Sequence, residues 1–150
     1  MKNPLSQRER VSWLQKREKG KDKMATNFEL GAEFMRAFNQ DVYDHPSVRD
    51  EKTRNLRYEL LREELQELRE ALDKEDIVEI ADALTDILYV AYGAGHAFGI
   101  NLDSCYWEIH RSNMSKLGED GKPIHREDGK VIKGPNYSPP NLTSIILKGA

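Results

Sequence analysis

The sequence predicts an all-α fold: four helices in a bundle, followed by a turn-rich C-terminal tail. Three observations carry that prediction. Apolar residues recur at helical spacing from Thr26 to Lys116, the breaks between runs are short and polar, and the texture turns to Gly, Asp and Pro after Gly118.

Residues 1–25 read as a basic N-terminal extension. Eight Lys/Arg against Glu9, Glu18 and Asp22 give residues 1–24 a charge of +5, which leaves −8 for the rest. Besides Met, their only large apolar residues are Leu5, Val11, Trp13 and Leu14, so a solvated or loosely helical arm is expected.

Residues 26–117 form the helical core. Phe28, Leu30, Phe34, Met35 and Phe38 give the first helix a one-sided stripe, with Thr26 or Asn27 as its N-cap. Pro46 interrupts the pattern because it disfavours helix at His45. A second helix runs from about Asp50 to Asp73, its core face set by Leu56, Leu60, Leu61, Leu65, Leu68 and Leu72. The connection Asp73–Asp76 is short, so the third helix, about Ile77 to Phe98, returns antiparallel, with Gly99 as the residue that ends it. A fourth helix spans about Asp103 to Lys116. Residues 118–150 form the tail: Asp-Gly-Lys turns at 120–122 and 128–130 predict a small hairpin, and Leu142–Leu147 a last helical turn.

Composition excludes several classes. At 150 residues, 38% hydrophobic and 33% charged, the chain is one globular domain. No apolar run is long enough to span a membrane. One cysteine, Cys105, rules out an internal disulfide and a multi-Cys zinc site, so a cytoplasmic location is expected. A net charge of −3 argues against nucleic acid as the main partner.

The acids are unevenly distributed: residues 50–86 hold thirteen of the 26. At about 100° per residue, Glu63, Glu64 and Glu67 share one arc of the second helix, bordered by Leu60 and Leu68. Glu79, Asp82 and Asp86 share an arc of about 60° on a third helix that is otherwise apolar nearly all round. Acids there are expected to be largely buried, and unpaired buried carboxylates cost several kcal/mol each. From residue 75 to Ile109 there is no Lys or Arg to neutralise them. Carboxylates on facing helices, without Cys or His, suit a hard cation, Mg²⁺ or Mn²⁺. A di-iron site is excluded, since no Glu precedes any His by three residues.

Glu63-Glu64-Leu65-Gln66-Glu67 is an E-E-x-x-E pattern, followed by Glu79-x-x-Asp82 and then Asp86-Ile-Leu-Tyr89. Over about Phe28 to Leu142 this ordered set resembles the all-α nucleoside triphosphate pyrophosphatase superfamily, which includes the MazG-like proteins, dimeric dUTPases and phosphoribosyl-ATP pyrophosphohydrolases. The stretch Ala83–Lys116 is most similar to the MazG-like branch with dUTPase-type activity. The resemblance implies Mg²⁺-dependent cleavage between the α- and β-phosphates of a (deoxy)nucleoside triphosphate, dUTP being one candidate, in a pool-cleaning role. By position, Glu63, Glu64 and Glu67 match the first acidic motif and Asp86 the second. The family's glutamate three residues before that aspartate is Ala83 here, with Asp82 as its neighbouring substitute and Glu79 as a ligand or outer acid.

In that scheme Glu64, Glu67, Asp82, Asp86 and Glu79 hold metal, and Glu63 or Glu64 takes a proton from the attacking water. The fourth helix supplies the positive side through Asn113 and Lys116, with His110 one turn earlier and Arg111 beside them. Phe38 and Asn39 on the first helix shape a base pocket, alongside Phe34 and Trp107. A homodimer or homotetramer is expected, because the second and third helices carry more apolar surface than four helices can cover. Two alternatives stand beside this: phosphoribosyl-ATP hydrolysis, and a non-catalytic acidic module that binds a basic partner.

Overall fold

The computed structural model describes residues 25–147, so the basic arm lies outside the described residues apart from Ala25. These residues form α1 (Asn27–Ala37), α2 (Glu51–Asp73), α3 (Ile77–Phe98), α4 (Leu102–Met114) and a short α5 (Leu142–Ile146). No helix among them is long and apolar enough to cross a membrane.

Local chemistry sets the boundaries. Thr26 and Glu29 close a capping box on α1: the Glu29 N–H donates to Thr26 Oγ1 at 3.2 Å and the Thr26 N–H to Glu29 Oε2 at 2.7 Å. Asp50, Asp76 and Asn101 cap α2, α3 and α4. Gly99 ends α3 in the left-handed region at φ 68°.

α2 and α3 form the principal antiparallel pair, α1 lies against α3, and α4 meets α5. The seam is built from small residues, with Ala71 of α2 and Ala83 and Ala97 of α3 all buried. Met35 and Ala32 close α1 onto it. The loop after α1 is tied across the end of α3 by Tyr43 N–H to the His96 carbonyl, Ser47 N–H to that of Phe98, and Arg49 Nε–H to that of Ala97. His96 is buried and stacked on Phe28 at 3.7 Å, its Nε2 lying 2.7 Å from the Phe28 carbonyl oxygen. It is a structural histidine.

Within one chain the leucine face of α2 and the apolar girth of α3 stay partly uncovered, in line with the excess of apolar surface read from the sequence: Leu56, Leu65, Leu72, Leu84 and Leu88 are exposed. The alanine seam draws the backbones together and leaves the larger side chains flanking it outward. The tail hairpin shrinks to one bridge, His125 with Val131, beside a turn closed by Gly129 N–H to the Arg126 carbonyl. Turn residues dominate so short a segment that no ladder propagates.

Candidate functional site

The acids of α2 and α3 sort by what holds them. Glu59 pairs with Arg62, Asp73 with Arg69, and Glu70 accepts from Gln66, all along the solvent face of α2. Asp50 and Asp76 are spent on capping. Glu79 pairs with Lys74 at 3.0 Å, which corrects the expectation that it lacks a basic neighbour: the cation sits one residue before the stretch that has none. Glu63, Glu64, Glu67, Asp82 and Asp86 have no ion pair among the described residues.

Glu64 is the one of the five that feels the charge of the other four. It is half-buried, and its Oε2 is fully covered with no hydrogen-bond donor. Burial, followed by the charges of Glu67, Asp86, Glu63 and Asp82, pushes its carboxyl above the usual range. Asp86 is half-buried as well, whereas Glu63, Glu67, Glu79 and Asp82 are exposed. Large-scale burial of the acids is therefore corrected, because only the α2–α3 seam covers them and nothing overlies their outer side. Towards the hairpin turn a cleft of about 360 Å³ opens, lined by Glu67, Glu70, Lys74, Glu79 and Asp82 above Ala71 and Ala83. Ala83 is thus floor, and Asp82 beside it reaches the rim.

The donor set suits a hard cation: carboxylates only, one of them with an orphaned buried oxygen. As the side chains are oriented, no three Asp, Glu, His or Cys groups among the described residues stand close enough to share a metal ion.

Around this cluster, α1 contributes an aromatic corner. Phe34 packs on Phe38 at 4.4 Å and edge-on to Tyr89 at 5.3 Å. Tyr89 lies one helical turn beyond Asp86, and Asn39, next to Phe38, takes a positive φ of 56°. Tyr89 and Arg57 carry a helical signal that motif spacing alone passes over: Arg57 falls seven residues before Glu64, on the same face of α2.

The predicted residues of α4 sit elsewhere. Arg111 grips Glu108 and the Pro139 carbonyl, Lys116 Nζ donates to Asn113 Oδ1 at 2.7 Å, and His110 meets Trp107 edge-on. No hydrogen bond or ion pair among the described residues links them to the acidic cleft. Trp107 lines a separate cleft of about 590 Å³ with Glu29, Tyr92, Asp103 and Tyr106. Cys105 is buried, and burial raises its thiol, consistent with a core residue.

The tail is anchored to α4 through Glu108, which receives the Asn141 N–H at 2.7 Å. The Arg111 guanidinium and that N–H hold its carboxyl down to about 2. Its anchoring contribution is therefore complete above the unfolded value of 4.5 and is lost as pH falls from 4.5 to about 2. Glu108→Ala is expected to strip the Asn141 amide of hydrogen-exchange protection at neutral pH while α2 and α3 keep theirs. Unchanged protection refutes the anchor.

Residues 32–113 match the family model described as phosphoribosyl-ATP pyrophosphohydrolase. Over 114 residues the chain is 39% identical to an uncharacterized protein of Acanthamoeba polyphaga mimivirus, a match that covers 73% of this chain and 43% of that one. The chain thus spans less than half the length of that curated relative. Among solved structures it is similar to a protein of Exiguobacterium sp. 255-15 provisionally described as an NTP pyrophosphohydrolase, at 23% identity and a TM-score of 0.45, over 85% of this chain and 95% of that one.

Proposed function

The chain belongs to the phosphoribosyl-ATP pyrophosphohydrolase family, and from that premise we propose that it hydrolyses the α–β anhydride of a (deoxy)nucleoside triphosphate to a monophosphate and pyrophosphate. The observation that carries the proposal is Glu64, whose buried, unpartnered oxygen lies among four further acids on two facing helices.

In this proposal Glu64, Glu67, Asp82 and Asp86 hold Mg²⁺ or Mn²⁺, with Glu79 at the margin because Lys74 already engages it. The bound cation supplies charge neutralisation for the triphosphate and a water of lowered pKa. Glu64, whose carboxyl is already raised, accepts that water's proton, with Glu63 beside it as the second candidate. The corner of Phe34, Phe38, Asn39 and Tyr89 receives the base, with dUTP as one candidate substrate.

His110, Arg111, Asn113 and Lys116 reach the phosphates only if a second copy brings its α4 to the cleft. The exposed leucines of α2 and α3 favour such a homodimer or homotetramer. A cytoplasmic, pool-cleaning role completes the reading.

The test is a panel of dNTPs, NTPs and phosphoribosyl-ATP with Mg²⁺, reading monophosphate and pyrophosphate separately. The expected result is pyrophosphate release from at least one nucleoside triphosphate, abolished in folded Glu67→Ala and Asp86→Ala. Turnover of phosphoribosyl-ATP alone moves the substrate to the family's namesake. Full activity in both variants overturns the assignment. The exposure of Glu63, Glu67 and Asp82 favours a second reading, a non-catalytic module with a basic partner, which requires that Mg²⁺ leave the melting temperature unchanged.

A further inference from the structure

Arg57 is the cation of this fold that nothing in the described chain neutralises in spite of its burial. It projects from α2 into the junction with α1 and α3, where its Nε is fully covered and has no hydrogen-bond acceptor. Its one polar contact is a long bond from Nη2 to Gln40 Oε1 at 3.4 Å. Nη1 rests against Gly93, where an added Cβ would stand 3.2 Å from it and 3.8 Å from Met35 Sδ, so the guanidinium occupies a fitted seat. The other arginines of α2 differ: Arg62 and Arg69 each pair with a carboxylate, and Arg54 donates to the Arg49 carbonyl at 2.6 Å.

A half-buried cation without a counter-charge costs free energy and calls for an anion. Burial also lowers the affinity of this guanidinium for its proton, in keeping with that deficit. The seat lies two helical turns from Glu64 on the same face of α2. Acids that need a metal to meet phosphate leave room for one contact that does not.

We infer that Arg57 is the chain's own cationic contact to the substrate, donating to a phosphate oxygen of the nucleotide from its seat between Gln40 and Gly93. The inference rests on the nucleotide reading of the acidic site, and its test separates the two.

The probe is inorganic tripolyphosphate, titrated calorimetrically into the full chain in EDTA, where the acids repel it and no cation bridges. The wild type is expected to bind. Arg57→Gln should weaken binding about 10- to 100-fold, the worth of a charge-assisted hydrogen bond, and Arg57→Lys should recover part of it. Arg57→Met, apolar and similar in length, is the second variant if the glutamine protein does not fold. In turnover with Mg²⁺ the same changes should raise KM by a similar factor while kcat moves little, whereas Glu67→Ala loses kcat and keeps tripolyphosphate binding.

If no nucleotide is hydrolysed yet the Arg57-dependent binding holds, the nucleotide reading falls and the anion contact stands. No binding by the wild type, equal binding by the variants, or a change confined to oligomer mass overturns the inference. The last result would mean that the counter-charge is a carboxylate of another copy.

Discussion

Glu64→Gln is expected to remove activity and add stability at once. The proposed function makes Glu64 a metal contact and the favoured proton acceptor, a role worth on the order of 10²–10⁴-fold in turnover. As a folded-state group it is a liability. Its carboxyl is raised by burial and by four neighbouring acids, so between its ordinary 4.5 and its higher folded value the folded chain keeps a proton that the unfolded chain has lost. Wild-type stability therefore falls as pH rises through that window, and the penalty persists above it. Glutamine removes it. In EDTA, above that window, the variant should melt at a higher temperature than the wild type. Added Mg²⁺ should then stabilise the wild type by mass action and close or reverse the gap. Calorimetry with and without Mg²⁺ checks it. Wild-type turnover in the variant, or identical melting in EDTA, refutes it.

That double effect shows why the site is partly legible in sequence. Helical spacing places Glu64, Glu67, Asp82 and Asp86 on facing sides of two antiparallel helices, because a three-residue turn allows no other return. Spacing also supplies the caps: Thr26 and Gly99 are where the sequence puts them. It cannot supply depth. Periodicity makes α3 a buried helix, yet Leu84 and Leu88 face solvent, since burial depends on whether a second layer covers the seam. Partnering is equally hidden. Lys74 neutralises Glu79 across a turn, and Arg57 stands unpaired because Gly93 gives it a seat, both of which are properties of the α2–α3 register. The α4 residues illustrate a third gap. Asn113 and Lys116 do share a face, yet spacing cannot show that the Lys116 ammonium donates to Asn113 Oδ1, nor that its carbonyl receives the Gly134 N–H of the tail.

The junction at Gly99 should be the most sensitive backbone position in the chain. Gly99 takes φ 68°, where any L side chain is strained by about 1–2 kcal/mol. Strain alone is survivable, and Gly121, at φ 73° with nothing within 4 Å of an added Cβ, shows what it looks like in isolation. At Gly99 that Cβ would stand 2.2 Å from the His45 carbonyl oxygen and 2.5 Å from its carbon. Backbone cannot rotate away as a side chain can, so the loop after α1 must lift from the end of α3. Lifting it threatens the Tyr43, Ser47 and Arg49 hydrogen bonds to the last carbonyls of α3. Gly99→Ala is therefore expected to cost about 3–5 kcal/mol, a drop of roughly 10 °C or more in melting temperature, against about 1 kcal/mol for Gly121→Ala. Because the same loop leads from Asn39 and Gln40 to α2, the loss should reach the site as well, and nucleotide KM should rise in whatever fraction remains folded. Equal melting temperatures for the two alanine variants would show that the loop yields without cost.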